Sequence, residues 1–377
     1  MRIVLCGLLP FAFCLNAMAQ YPGLTLPPSG NNQKAMVTQF IGPVQVSIEY
    51  SSPAVHGPDG KDRRGQIWGK LVPYGVADLG FGNGKPSPWR AGANENTVFT
   101  VSNDVTIEGK PLPAGKYGLF MIPGPDEWTL VFSKNSSSWG SFFYEEGQDA
   151  LRVTVKPAKH EYREWLTYEF PERKPAQATA QLEWEELSVP WTIKADVNPI
   201  YISRLRQELT SVPGFTADGF AQAATFCVQE NVDLDEGLKW ADAALTAPFI
   251  GQVNFDTLTT KAQVLDKMGR DAEAKTEYRQ AMRHASASAM QIYALGLELL
   301  KDKENDFAME VFEYDAERYK DTWPVHMGLA RGYAAKGDNE KALEHANKAL
   351  AQAPSDPAKA RVKAFIEELP HNQAGKG

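Results

Sequence analysis

The chain has 377 residues, 43% of them hydrophobic and 23% charged. That length favours two or three domains, and the composition excludes a largely disordered, collagen-like or disulfide-scaffold protein. With 39 Lys and Arg against 47 Asp and Glu the net charge is −8, so nothing global favours a nucleic-acid partner.

The first predicted element is a targeting segment. Met1-Arg2 precedes an apolar run from Ile3 to Leu15 and then Asn16-Ala17-Met18-Ala19, a basic start, a short hydrophobic stretch and a small-x-small cleavage site. Cleavage is predicted after Ala19, giving an exported protein, periplasmic or secreted, with residues 20–33 as a flexible N-terminal segment. The run is shorter than the roughly 20 apolar residues a bilayer-spanning helix needs, and no later stretch approaches that length, so no transmembrane helix is expected in the mature chain. Cys6 and Cys14 lie in the leader. The remaining Cys227 cannot form an internal disulfide, and its neighbours Ala223, Ala224, Phe226 and Val228 predict a buried structural thiol.

Residues 34–196 have a dominant period of two. Val44–Ile48, Thr97–Val101, Val105–Ile107, Lys116–Ile122, Trp128–Phe132, Leu151–Val155, Leu166–Phe170 and Ala178–Trp184 are short β-branched and aromatic runs separated by Gly, Pro, Asn or Asp. This spacing predicts a β-sandwich or jelly-roll-like domain. Trp128, Trp165, Trp184 and Trp191 fall at strand spacing and read as core or edge packing. The longest irregular piece is Ser51 to Pro88.

Beyond Pro199 the texture becomes helical and alanine-rich, with residues 197–212 as a linker or first helix. Ala274, Ala308 and Ala342 recur every 34 residues, as do Ala262, Gly296 and Ala330, and Leu265, Leu299 and Tyr333, while Gly269 and Gly337 lie two periods apart. These columns resemble the tetratricopeptide repeat. The reading is therefore a multidomain β + α protein whose residues 213–369 hold three good repeats, a degenerate earlier copy around Gly237 to Leu245, and a capping helix from Asp356 to Leu369. Residues 370–377 are expected to be a disordered tail. Positions between the packing columns, Thr259, Gln263, Asp266, Tyr293 and Arg331, are expected to line a concave surface for a peptide or protein partner. Docking of the array on the β domain stays open as the alternative.

Familiar catalytic motifs are largely absent. Gly82-Asn83-Gly84-Lys85-Pro86 lacks the leading glycine and the Ser or Thr of a phosphate loop, and His160-Glu161-Tyr162-Arg163-Glu164 lacks the second histidine of a zinc site. In a strand, moreover, positions i and i+4 stand about 13 Å apart, too far for two ligands of one metal. No metal and no cofactor is expected.

Three segments stand out: Tyr50-Ser51-Ser52-Pro53, Arg64-Gly65-Gln66-Ile67-Trp68-Gly69 with Val72-Pro73-Tyr74-Gly75, and Trp89-Arg90-Ala91-Gly92-Ala93-Asn94-Glu95. Together with Ala114-Gly115-Lys116-Tyr117-Gly118-Leu119-Phe120-Met121-Ile122-Pro123, Trp139-Gly140, Tyr144 and Asp149-Ala150-Leu151-Arg152, they resemble the exported bacterial family called domain of unknown function 2911. The resemblance implies an architecture and carries no established reaction. This sequence departs from the family pattern in an expanded stretch from His56 to Arg64 and an insertion from Ala77 to Pro88.

Read chemically, Arg90, Asn94 and Glu95 offer a planar donor fork, an amide and a carboxylate, with Trp68, Tyr74 and Trp89 as apolar walls and Asp149 as a further member. Arg90 needs a carboxylate, from Glu95 or Asp149 or from a ligand. His56 is the candidate general base. The expected function is an exported noncatalytic binding or scaffold protein, with a small ligand or envelope component on the β domain and a protein partner on the repeats. The alternative is a hydrolase-like enzyme with its site around Arg90, Glu95 and His56.

Overall fold

The structure, a computed structural model, describes residues 32–369, so the predicted leader and the tail 370–377 lie outside the described residues. The chain divides into two compact units between Val197 and Asn198.

Among the described residues the first unit contains ten strands: β1 (Gln33–Ile41), β2 (Val44–Ser52), β3 (Thr97–Val101), β4 (Val105–Ile107), β5 (Lys110–Leu112), β6 (Gly115–Ile122), β7 (Trp128–Ser133), β8 (Asp149–Val155), β9 (Ala158–Lys174) and β10 (Gln177–Lys194). They form two antiparallel sheets, of order β1-β2-β3-β6-β7-β8 and β5-β4-β10-β9. After β3 the chain leaves the first sheet, contributes the β4–β5 hairpin to the second, and returns as β6. The period-two pattern has its expected cause in β2, where Val44, Val46 and Ile48 are buried while Gln45 faces solvent.

Two aromatic clusters bind the sheets face to face. Tyr50 of β2 packs edge-on against Tyr168 of β9 at 4.8 Å, and Tyr168 in turn meets Trp191 of β10. Trp68, from the long irregular segment, meets Trp128 of β7 at 5.1 Å and Trp184 of β10 at 5.6 Å, and Trp89 closes the group by stacking on Trp184 at 6.2 Å. Edge-to-face and offset geometries of this kind suit the ring quadrupoles. Trp165 differs from the other strand tryptophans in being 41% exposed.

In the second unit the helices are α1 (Val197–Glu208), α2 (Ala217–Glu230), α3 (Leu234–Thr246), α4 (Phe255–Lys267), α5 (Asp271–Arg283), α6 (Ala289–Lys301), α7 (Asn305–Tyr319), α8 (Trp323–Ala335), α9 (Asn339–Gln352) and α10 (Asp356–Glu368). From α2 to α9 they pack as successive pairs. The alanine column lies on the second helices α5, α7 and α9, buried throughout. On the first helices the small-residue column has the same purpose: a Cβ added at Gly296 would stand 2.2 Å from the Phe312 ring of α7. Asn254 and Ser288 start α4 and α6 with reciprocal capping boxes, which satisfy the first amides of each helix. Cys227 is buried between α2 and its neighbours, and burial pushes its thiol up to about 11.

The turn column also has a chemical exception. Gly269 and Gly337 take φ values of 74° and 82°, and the residue midway between them, Lys303, is held at 65° without being glycine. A left-handed conformation costs a side chain about 1–2 kcal/mol. Lys303→Gly is therefore expected to stabilise the helical unit by about 1 kcal/mol, less the unfolded-chain entropy that glycine adds. Urea unfolding of parent and variant checks this, and a destabilised variant would contradict the shared turn geometry.

Candidate functional site

The irregular segment between β2 and β3 is fixed to the sheets by backbone pairing. Ala77 and Ser87 exchange two hydrogen bonds that close the inserted loop at its base, and Trp89 exchanges two with Met121 of β6, each 2.8 Å. Trp89 is thereby anchored, which aims the following residues across the end of the sandwich. Ala91 and Asn94 both take positive φ, 51° and 57°. Such backbone persists only where its surroundings over-determine it, and it concentrates at functional sites. Here the Ala91 carbonyl accepts from the Tyr168 hydroxyl at 2.7 Å and from Thr97 Oγ1 at 3.0 Å, while the Ala93 amide donates to the Ser51 carbonyl.

Within that clamp Arg90 Nη1 donates to the Asn94 carbonyl at 2.6 Å, and the guanidinium lies over the Phe142 ring at 4.7 Å. Gly140, at φ 60°, lets it pass: a Cβ there would approach the guanidinium carbon to 2.4 Å. Among the described residues no carboxylate comes within ion-pair distance of Arg90. Burial alone pulls its guanidinium below the ordinary arginine value. Arginine stays charged at physiological pH all the same.

Arg90 and Trp89 line a cavity of about 320 Å³, together with Trp184, Arg63, Leu71 and Val72. This volume is at the small end of ligand pockets, which span about 300–1,000 Å³. Arg63 donates Nε and Nη2 to the Val55 and Ala54 carbonyls, at 3.0 and 2.7 Å. The other polar lining side chains among the described residues are Asn32, Ser87 and Ser141, and no described Asp or Glu contributes to the wall. The Trp184 indole N–H is buried without an acceptor among the described residues.

The remaining expected site residues have other settings. Glu95 accepts from Ser51 Oγ at 3.1 Å and borders a separate depression with Lys34 and Lys116. Asp149 Oδ2 takes Arg152 Nε at 2.6 Å and the Tyr144 hydroxyl at 2.7 Å, so it closes a local network at the start of β8. His56 is half-exposed, with Nδ1 3.0 Å from Glu164 Oε2. Asn94 contributes its carbonyl to Arg90 and its side chain to Asn32. Trp68 belongs to the aromatic core, and Tyr74 is exposed with its ring over Gly69. Arg90 and Trp89 thus share a cavity that His56, Glu95 and Asp149 do not line. Phe142, Gly140, Arg63 and Trp184 come to the Arg90 neighbourhood from elsewhere in the chain; only the Trp139-Gly140 dipeptide signalled one of them.

On the helical unit a groove of about 510 Å³ is lined by α2, α4 and α6, with Gln263 and Asp266 among its residues and Glu298 and Asp302 facing them. Desolvation, then the carboxylates of Asp271, Asp302 and Glu304, push the Asp266 carboxyl up. Thr259 bonds its own helix, donating to the Phe255 carbonyl. Arg331 lies over the Phe365 ring at 5.1 Å. Tyr293 departs from the surface position expected of it: only 8% exposed, its ring is taken into the core by packing against Phe312 of α7 and Trp323 of α8.

The search of curated proteins finds no match. Among solved structures, the helical region is similar to YrrB, described as a TPR protein with an unusual peptide-binding site, at 20% identity, 44% of this chain, 86% of that one and a TM-score of 0.29. It is similar also to a tetratricopeptide repeat protein from Parabacteroides merdae, at 16% identity, 44% and 66% coverage and 0.31, and to MamA, at 15%, 44% and 89%, and 0.31. Residues 32–193 match the model described as protein of unknown function (DUF2911). The two-sheet domain that carries the Arg90 cavity is thus the part of the chain that is similar to the DUF2911 family.

Proposed function

We propose that this is an exported, noncatalytic binding and scaffold protein whose β domain holds a small ligand in the Arg90 cavity and whose repeats hold a protein partner. The groove lined by the first helices of three successive repeats carries the second half of this reading: Gln263 and Asp266 of α4 stand beside residues of α2 and α6, a continuous surface that suits an extended chain. Export rests on the sequence from Met1 to Ala19.

One experiment addresses export and the partner groove. The full chain, crosslinked in the producing cells, is purified and examined by mass spectrometry. Its N-terminal residue should be Gln20, and a discrete crosslinked protein should fall about tenfold or more in yield in the double variant Gln263→Ala, Asp266→Lys, since truncation and charge reversal in a groove disfavour its partner. The exposed substitution Lys363→Ala on α10 should leave the yield unchanged. An uncleaved leader, or a crosslink indifferent to the groove variant, counts against the proposal.

A further inference from the structure

The Arg90 cavity combines a cationic end with apolar walls. Arg90 uses one of its five N–H groups on the Asn94 carbonyl, and a second guanidinium, that of Arg63, reaches the same cavity with donors beyond those bonded to Val55 and Ala54. Two arginines without a lining carboxylate leave uncompensated positive charge in a partly desolvated space, which is costly unless an anion supplies the balance. Trp89, Trp184, Leu71 and Val72 offer surface to hydrocarbon. Phe142 and Gly140 hold the fork from behind, so its orientation is set before any ligand arrives.

Resting on the reading of the β domain as a ligand binder, we propose that the cavity binds a small carboxylate with an apolar body, its carboxylate on Arg90 and its hydrocarbon part against Trp89 and Trp184. Carboxylate is favoured over phosphate by the wall. A planar monoanion matches one guanidinium fork bidentately, whereas a phosphate would turn further charged oxygens toward a lining dominated by Trp, Leu, Val and Pro.

The test uses the full mature chain with phenylacetate and its neutral isostere phenylacetamide, and follows tryptophan fluorescence, since two cavity walls are indoles. At about 1 mM, where a ligand of that Kd half-saturates its site, phenylacetate should change the emission and raise the melting temperature. Phenylacetamide should bind about tenfold or more weakly, because the charge-assisted bonds are lost. Arg90→Met should bring the acid down to the level of the amide. Should that variant fail to fold, the contrast between acid and amide on the unmodified chain decides alone. Equal binding of the two compounds would overturn the carboxylate assignment while leaving a ligand cavity in place. Binding by neither would overturn it together with the cavity reading. Stabilisation by inorganic phosphate equal to that by phenylacetate would also overturn it.

Discussion

Trp184→Ala is expected to destabilise the β domain by about 3–5 kcal/mol, the loss typical of removing a large aromatic from a core. The size follows from its place. Trp184 is buried on β10 and is touched by Trp68 and Trp89, neither of which belongs to a regular strand. Its removal opens space where the irregular segment is held to the second sheet, so the surroundings have poor means of collapsing without moving Trp89 and with it Arg90. Trp165→Ala on the neighbouring strand β9, at a site 41% exposed, should cost far less, within about 1 kcal/mol. Urea unfolding followed by fluorescence compares the two. Similar losses would mean that the four-tryptophan cluster is not what joins the loop to the sandwich.

Val44 to Ile48 was legible because its alternation has one face buried and the other not, and Trp128 to Phe132 was legible as a short apolar run, Val131 being buried on its second face with Phe120 and Tyr144. The β9–β10 hairpin was not, since only Leu166–Phe170 and Ala178–Trp184 could be read from strands that run to 17 and 18 residues. Register shifts between Thr179 and Gln181, Glu183 and Glu185, and Glu185 and Leu187 break the period of two, and Glu185 takes a positive φ. A bulge changes the phase of the side chains, so the buried set passes from Ala178, Ala180, Leu182 and Trp184 to Val189, Trp191 and Ile193, and the stretch past Trp184 does not read as a continuation of the same strand. Lys303 hid the third turn of the repeat column in the same way, by supplying the conformation without the residue that usually announces it.

The site was legible as a place and obscure as a geometry. The motif residues Trp89 and Arg90 could be singled out, but the partner sought for Arg90 was a carboxylate, with Glu95 and Asp149 as the choices. The structure gives it a main-chain carbonyl and a ring, neither of which has a side-chain signature in sequence. Asp149 is instead held by Tyr144 and Arg152, which are themselves in the family motifs, so the presence of an acid in a motif did not identify its partner. Strain at Ala91 was invisible for a further reason. It depends on the Tyr168 hydroxyl, which arrives from β9 after a separation of 77 residues.

The other large expected effect belongs to the helical unit. Asp315 of α7 is fully buried among Val311, Phe312 and their neighbours, and neither carboxylate oxygen has a hydrogen-bond partner among the described residues. Burial raises its pKa from 3.8 to about 7, only partly opposed by the charge of Arg318. The folded chain therefore retains a proton that the unfolded chain releases near its ordinary value. Between those two values the native state binds more protons than the unfolded state, so stability falls as the pH rises, and the loss is complete above about pH 7. A shift of this size corresponds to roughly 4 kcal/mol. Asp315→Asn keeps the shape and cannot ionise. Near pH 4 it should match the parent, whose Asp315 is then neutral in the fold, and by about pH 8 it should exceed the parent by up to about 4 kcal/mol. Urea unfolding of the full chain, followed by far-ultraviolet circular dichroism to report the helices, gives both values. Taking the difference between variant and parent cancels other groups that titrate in this window, His345 included. Parallel pH profiles for the two proteins would show that Asp315 is ionised and satisfied in the native state.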